Sequence, residues 1–146
     1  MRIPPFLLGL LALGMLGTAI PARAALPNPV LTFDGTEDYE AHGKAWVRYK
    51  LSVTNRASFA PELFTPAPDL PPCGLNKNSA RTWVEVKSGA RPYPRLYGFC
   101  ALDSPEGLGS LWFSLEKGRR PPSKVFIEII DRQTGEKKTS ARVATH

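Results

Sequence analysis

Ala45–Thr54 reads AWVRYKLSVT, and this stretch decides the fold class. Val47, Tyr49, Leu51 and Val53 alternate with Trp46, Arg48, Lys50, Ser52 and Thr54. A period of two over ten residues predicts a strand with one buried face, because successive side chains of an extended chain point to opposite sides. Asn55-Arg56 then opens a turn. Working back toward the N-terminus, Asp34 to His42 is polar and turn-like. Val30 to Phe33 makes a short first strand, and Pro27 and Pro29 keep residues 25–30 extended.

Working forward, residues 61–72 (PELFTPAPDLPP) carry five prolines and cannot donate regularly to a ladder. Leu63, Phe64 and Leu70 nevertheless predict that this connection packs down. Further strands follow at Arg81–Lys87, Tyr93–Leu102, Ser110–Glu116, Lys124–Asp131 and Lys137–Val143. Ser88-Gly89, Asp103–Gly109, Gly118–Ser123 and Gln133–Gly135 supply the turns between them, the second of these with room for one short helical turn. Seven short strands without a useful helical period predict an all-β, seven-stranded antiparallel two-sheet sandwich.

The first 24 residues stand apart from this pattern. Arg2 gives a positive start, Phe6 to Ile20 is an uncharged run of 15 residues, and Ala22-Arg23-Ala24 offers a small-x-small cleavage site. The run is short of the ~20 residues that a spanning helix needs. Residues 1–24 are therefore expected to be a cleaved signal peptide. Residues 25–146 then form one secreted or periplasmic domain, not transmembrane after cleavage and monomeric.

An oxidising compartment gives meaning to Cys73 and Cys100, the two cysteines of the chain. A bond between them is expected, and closing that loop would stabilise the fold by roughly 3 kcal/mol. Two buried thiols or a reactive cysteine are the alternatives.

YKLSVTN (Tyr49–Asn55) and the ending KVFIEIIDRQTGEKKTSARV (Lys124–Val143) resemble the second strand and the last hairpin of bacterial modules of the immunoglobulin/fibronectin type III class. PELFTPAPDLPPCGLNKNSARTW (Pro61–Trp83), continued by YGFCAL (Tyr97–Leu102), is similar to a recurring bacterial secreted domain to which no activity is assigned. The resemblance implies a sandwich and no chemistry. Antibody domains join two core strands by their disulfide. Here Cys73 ends a proline-rich loop, so the bond would tie that loop to a strand.

Enzyme classes find little to work with. The histidines are His42, in a polar turn, and His146, at the end, and no nucleophile elbow, phosphate loop or zinc spacing is present. The expectation is no enzyme and no cofactor; a small hydrolase is the alternative. Asp34, Glu37, Asp38 and Glu40 crowd the early polar stretch and form a candidate calcium site, against the plainer reading of a solvated acidic turn.

Net charge is −1 over residues 25–80 and +5 over 81–146. Arg119-Arg120 and Lys137-Lys138 fall near opposite ends of the predicted sandwich, which argues against one basic patch and against nucleic acid. The tryptophans are more telling. Trp46, Trp83 and Trp112 all fall in the polar phase of their strands, so all three should point away from the core. They form a candidate binding platform for a protein, peptide or glycan of the cell envelope. The competing reading is that residues 61–72 fold over one sheet and cover them. The function expected is a non-catalytic binding or accessory module, the alternative a structural envelope protein without a specific ligand.

Overall fold

The computed structural model describes Gly17 and residues 25–72, 79–89, 91, 94–100 and 104–146. Among these the structure is all-β. Eight strands form two antiparallel sheets, joined by turns and three short 3₁₀ segments. β1 (Leu31–Ala41), β2 (Lys44–Val53) and β5 (Leu111–Glu116) make a three-stranded sheet in the order β1-β2-β5. β3 (Thr82–Lys87), β4 (Arg95–Cys100), β6 (Lys124–Asp131) and β7 (Lys137–Thr139) make the other, in the order β4-β3-β6-β7. β8 (Val143–Ala144) also pairs with β6.

The alternation in the sequence carries directly into burial. Tyr49, Leu51 and Val53 of β2 and Leu111, Phe113 and Leu115 of β5 turn inward, and so do Val84 and Val86 of β3 and Val125, Ile127 and Ile129 of β6. They meet in one cluster shared by both sheets, with the Tyr49 and Phe113 rings stacked 4.7 Å apart. Burying each such side chain is worth about 1.5–3 kcal/mol, which is what holds the layers together.

Residues 61–72 do pack down, at their start. Leu63 and Phe64 enter the core from a 3₁₀ segment at Pro61–Phe64, and Pro66 makes an isolated bridge to Ala80. The Thr82 hydroxyl donates to the Leu63 carbonyl, which ties the connection to the first residue of β3.

Two expectations need correction. The polar stretch Asp34–His42 is strand rather than turn. β1 continues to Ala41 and pairs with β2 residue by residue, from Leu31 opposite Val53 to Ala41 opposite Lys44. The turn itself is only His42-Gly43, both at positive φ (53° and 71°), the geometry of a two-residue hairpin. Polar residues suit β1 because one side of this hairpin faces water along most of its length. Gly35 (φ 99°) follows the bulge at Asp34, where a side chain would be strained.

The second correction concerns the last strand, expected over Lys137–Val143. It is broken into β7 and β8, which raises the strand count from seven to eight. At the break the Ser140 hydroxyl accepts from the Ile127 N–H (3.0 Å), and its own N–H donates to the Ile127 carbonyl (2.9 Å). A side chain thus stands in for one rung of the ladder.

No helix among the described residues is long and apolar enough to cross a membrane.

Candidate functional site

The three tryptophans do not share a face. β2 and β5 pair with Trp46 opposite Glu116, Arg48 opposite Ser114 and Lys50 opposite Trp112. Trp46 and Trp112 therefore lie on the outer face of the three-stranded sheet. Trp83 alternates with buried Thr82 and Val84, so it lies on the outer face of the other sheet.

Around Trp83 every group is engaged. Its indole N–H donates to Glu85 Oε1 at 2.9 Å. Glu85 also pairs with Arg95 at 3.1 Å and with Lys87 at 3.2 Å, and Lys87 reaches Glu128 at 3.1 Å. The Glu85 carboxyl would be raised by its burial. The Trp83 and Lys87 hydrogen bonds, with Arg95 nearby, outweigh that and hold it below the ordinary value. Burial would likewise lower the Lys87 ammonium, and the two carboxylates reverse this and raise it. The Trp83 ring lies over Gly98, where any Cβ would collide with it, and under the Arg95 guanidinium at 5.8 Å. Glycine is what lets the ring lie flat on the sheet.

The face around Trp112 is built differently. The Arg48 guanidinium stands 4.7 Å from the Tyr39 ring and 4.9 Å from the Trp112 ring. Tyr97 approaches Trp112 at 4.5 Å, and Phe99 meets it edge-on at 5.9 Å. Tyr39, Arg48, Trp112 and Tyr97 thus form a row across β1, β2, β5 and β4. Tyr97 and Phe99 sit opposite the buried Val86 and Val84, so they belong to the core phase of their sheet. Their contact with an outward-facing residue of β5 means that β4 overhangs the β5 edge, and the row fastens one sheet to the other.

This row is polar and unsatisfied at its centre. Arg48 Nε and Ser114 Oγ are buried without a hydrogen-bond partner. A hollow lies on either side of the row along β2 and β5. The larger, about 500 Å³, is lined by Asp34, Glu37, Arg48, Lys50, Ser110 and Trp112. The smaller, about 280 Å³, is lined by Trp46, Arg95, Ser114, Glu116 and Arg119. The larger falls within the roughly 300–1,000 Å³ of small-ligand clefts.

The acidic candidates are drawn apart by the strand they occupy. Glu37 sits opposite Arg48, 3.9 Å from it, and Asp38 pairs with Lys117 at 2.6 Å. Alternation sends these two neighbours to opposite faces, while Asp34 occupies the bulge. Among the described residues no three candidate ligands gather for a metal. The calcium expectation, which assumed that Asp34, Glu37, Asp38 and Glu40 converge in a turn, loses its geometry. His42 is exposed in the hairpin turn.

The rings covering Trp112 come from β4, with the Arg48 guanidinium of β2 on it as well, rather than from residues 61–72. Cys100 ends β4 opposite Trp83, and the expected bond to Cys73 lies outside the described residues.

Sequence reading missed Tyr39, Tyr97 and Phe99 as members of this face. Tyr39 was hidden by the turn assignment. For Tyr97 and Phe99 no sequence signal reports that an edge strand overhangs its neighbour. Arg48 and Lys50 were visible, in phase with Trp46.

No family model, curated protein or solved structure matches the chain.

Proposed function

We propose that the chain is a non-catalytic binding or accessory module that works outside the cytoplasm, secreted or periplasmic, after removal of residues 1–24. Its partner, a component of the cell envelope, docks on the outer face of the three-stranded sheet. The observation that carries this reading is the difference between the two outer faces. Around Trp83 the polar groups are spent on one another. Around Trp112 two hollows flank buried polar atoms that have no partner in the protein.

The strand order also favours a fibronectin type III-like sandwich within the wider class. In the immunoglobulin constant arrangement the fourth strand shares a sheet with the first, second and fifth. Here β4 pairs with β3 instead.

The test is an amide chemical-shift map of the isotope-labelled mature domain against envelope extract, separated into glycan, peptide and protein fractions. Shifts should cluster in residues 46–50 and 109–116. Shifts confined to the Trp83 face, or none with any fraction, would favour a structural envelope protein instead.

A further inference from the structure

We infer that the ligand of this face is a neutral, hydroxyl-rich glycan chain; the inference rests on the reading just given and narrows it to one ligand class. The argument begins with charge. The larger hollow is lined by two carboxylates, Asp34 and Glu37, and two cations, Arg48 and Lys50. Part of this charge is already compensated within the protein: Arg48 of the larger hollow by Glu37 at 3.9 Å, and Glu116 and Arg95 of the smaller by Lys44 at 3.6 Å and Glu85 at 3.1 Å. A ligand with formal charge would meet repulsion about as often as attraction here, and would lose its own hydration. A sugar hydroxyl both donates and accepts, so it matches a wall that alternates acceptors with donors.

Shape points the same way. Trp112 lies opposite Lys50 and Glu116 lies opposite Trp46, four residues further along β5. At the rise of a strand the two tryptophan positions are about 13 Å apart along the sheet, with the Trp46 indole N–H donating to the Ala41 carbonyl at 3.3 Å. One hollow lies at each end, with the Arg48–Ser114 row between them. A ligand that fills both is extended. It must present apolar patches to the Trp46 and Trp112 rims and polar edges to the carboxylates, guanidinium groups and the Ser110 hydroxyl. A chain of pyranose rings, with C–H faces and hydroxyl edges, has that alternation. An extended peptide would instead seek the backbone groups of a strand edge.

The experiment titrates the mature domain with four probes, followed by amide shifts. Two are neutral hexasaccharides, of β-linked glucose and of β-linked N-acetylglucosamine. The others are a galacturonate hexamer and a lysine-rich hexapeptide. At least one neutral hexamer should shift residues 46–50 and 109–116, with an affinity that changes less than twofold between 50 and 300 mM salt. Asp34→Asn should weaken it about tenfold to a hundredfold, the scale of a hydrogen bond to a charged group, without moving the melting temperature. If only the galacturonate or the peptide shifts these residues, the face binds but the ligand class is wrong. If none of the probes shifts them while an envelope fraction does, the glycan assignment falls and the binding face stands.

Discussion

Trp83 and Trp112 hold the same position in the alternation of their strands, one on each sheet, and the sandwich treats them in opposite ways. Trp83 is locked by a hydrogen bond to Glu85 and a glycine beneath its ring, inside a run of ion pairs that leaves each charge with a partner. Trp112 is held by ring and cation contacts, beside polar atoms that the protein leaves unmatched. The lesson is that outward phase alone does not mark a binding residue. What matters is whether the groups around the ring still have hydrogen bonds to make. The five-stranded sheet should therefore be costly to disturb and the outer face of the three-stranded sheet cheap.

The largest effect belongs to Asp131, at the end of β6. Its carboxylate is buried and accepts two hydrogen bonds from Arg81, at 3.0 and 2.8 Å, and one from the Gln133 N–H at 3.0 Å. Asp131→Ala leaves Arg81, only 12% exposed, without its partner and should cost about 3–5 kcal/mol. Chemical denaturation should show this as an earlier midpoint at unchanged slope.

The same group predicts acid sensitivity. Burial alone would raise the Asp131 pKa, but the Arg81 hydrogen bonds and the Gln133 N–H outweigh it and hold the carboxyl below its ordinary value. A lowered folded pKa means that the contribution is complete above the unfolded value of about 3.9 and is lost as pH falls through the folded one. Melting temperature should fall more steeply between pH 5 and 3 in the native chain than in Asp131→Asn. Equal slopes would show that Asp131 is not the group responsible.

Next come two matched substitutions, one on each sheet. Lys87 stands between Glu85 and Glu128, which are register partners across β3 and β6. Lys87→Met removes the cation and leaves two carboxylates facing each other, at a cost of about 1–3 kcal/mol. Arg48→Met gives up two cation–ring contacts of about 0.5–1 kcal/mol each and one exposed ion pair of little worth. It also removes a buried N–H whose unmade hydrogen bond costs about 1–3 kcal/mol. The net change should lie within about 1 kcal/mol of zero. Thermal melts of the two variants side by side test the comparison directly, and equal losses would abolish the distinction between the faces.

Much of this fold was legible because burial is periodic. Val47 to Val53 announces its strand by alternation and KVFIEIID by its branched residues, and β6 spans Lys124–Asp131 as the sequence predicts. β1 was not legible beyond Phe33. Gly35 and the acids from Asp34 to Glu40 have low strand propensity, and only pairing with β2 forces them to extend. The candidate site was half legible. The phase of Trp46, Arg48 and Lys50 set one strip of the face. The separation of Trp83 from the other two tryptophans depends on which strands share a sheet, and that is a non-local choice that no single strand records.

The smallest effect is the most diagnostic. Ser114 lies opposite Arg48, and its hydroxyl is buried without a partner. Deleting a satisfied buried hydroxyl destabilises, because its partner is left stranded. Deleting an unsatisfied one removes a desolvation cost and strands nothing. Ser114→Ala should therefore leave stability unchanged or raise it by up to about 1 kcal/mol. Ligand affinity supplies the second readout. If the bound chain reaches this row and hydrogen-bonds to Ser114, the same alanine should weaken binding severalfold while the fold gains. A loss of stability of about 1 kcal/mol or more would mean that the hydroxyl is already engaged. The outer face of the three-stranded sheet would then be as fully satisfied as the face around Trp83.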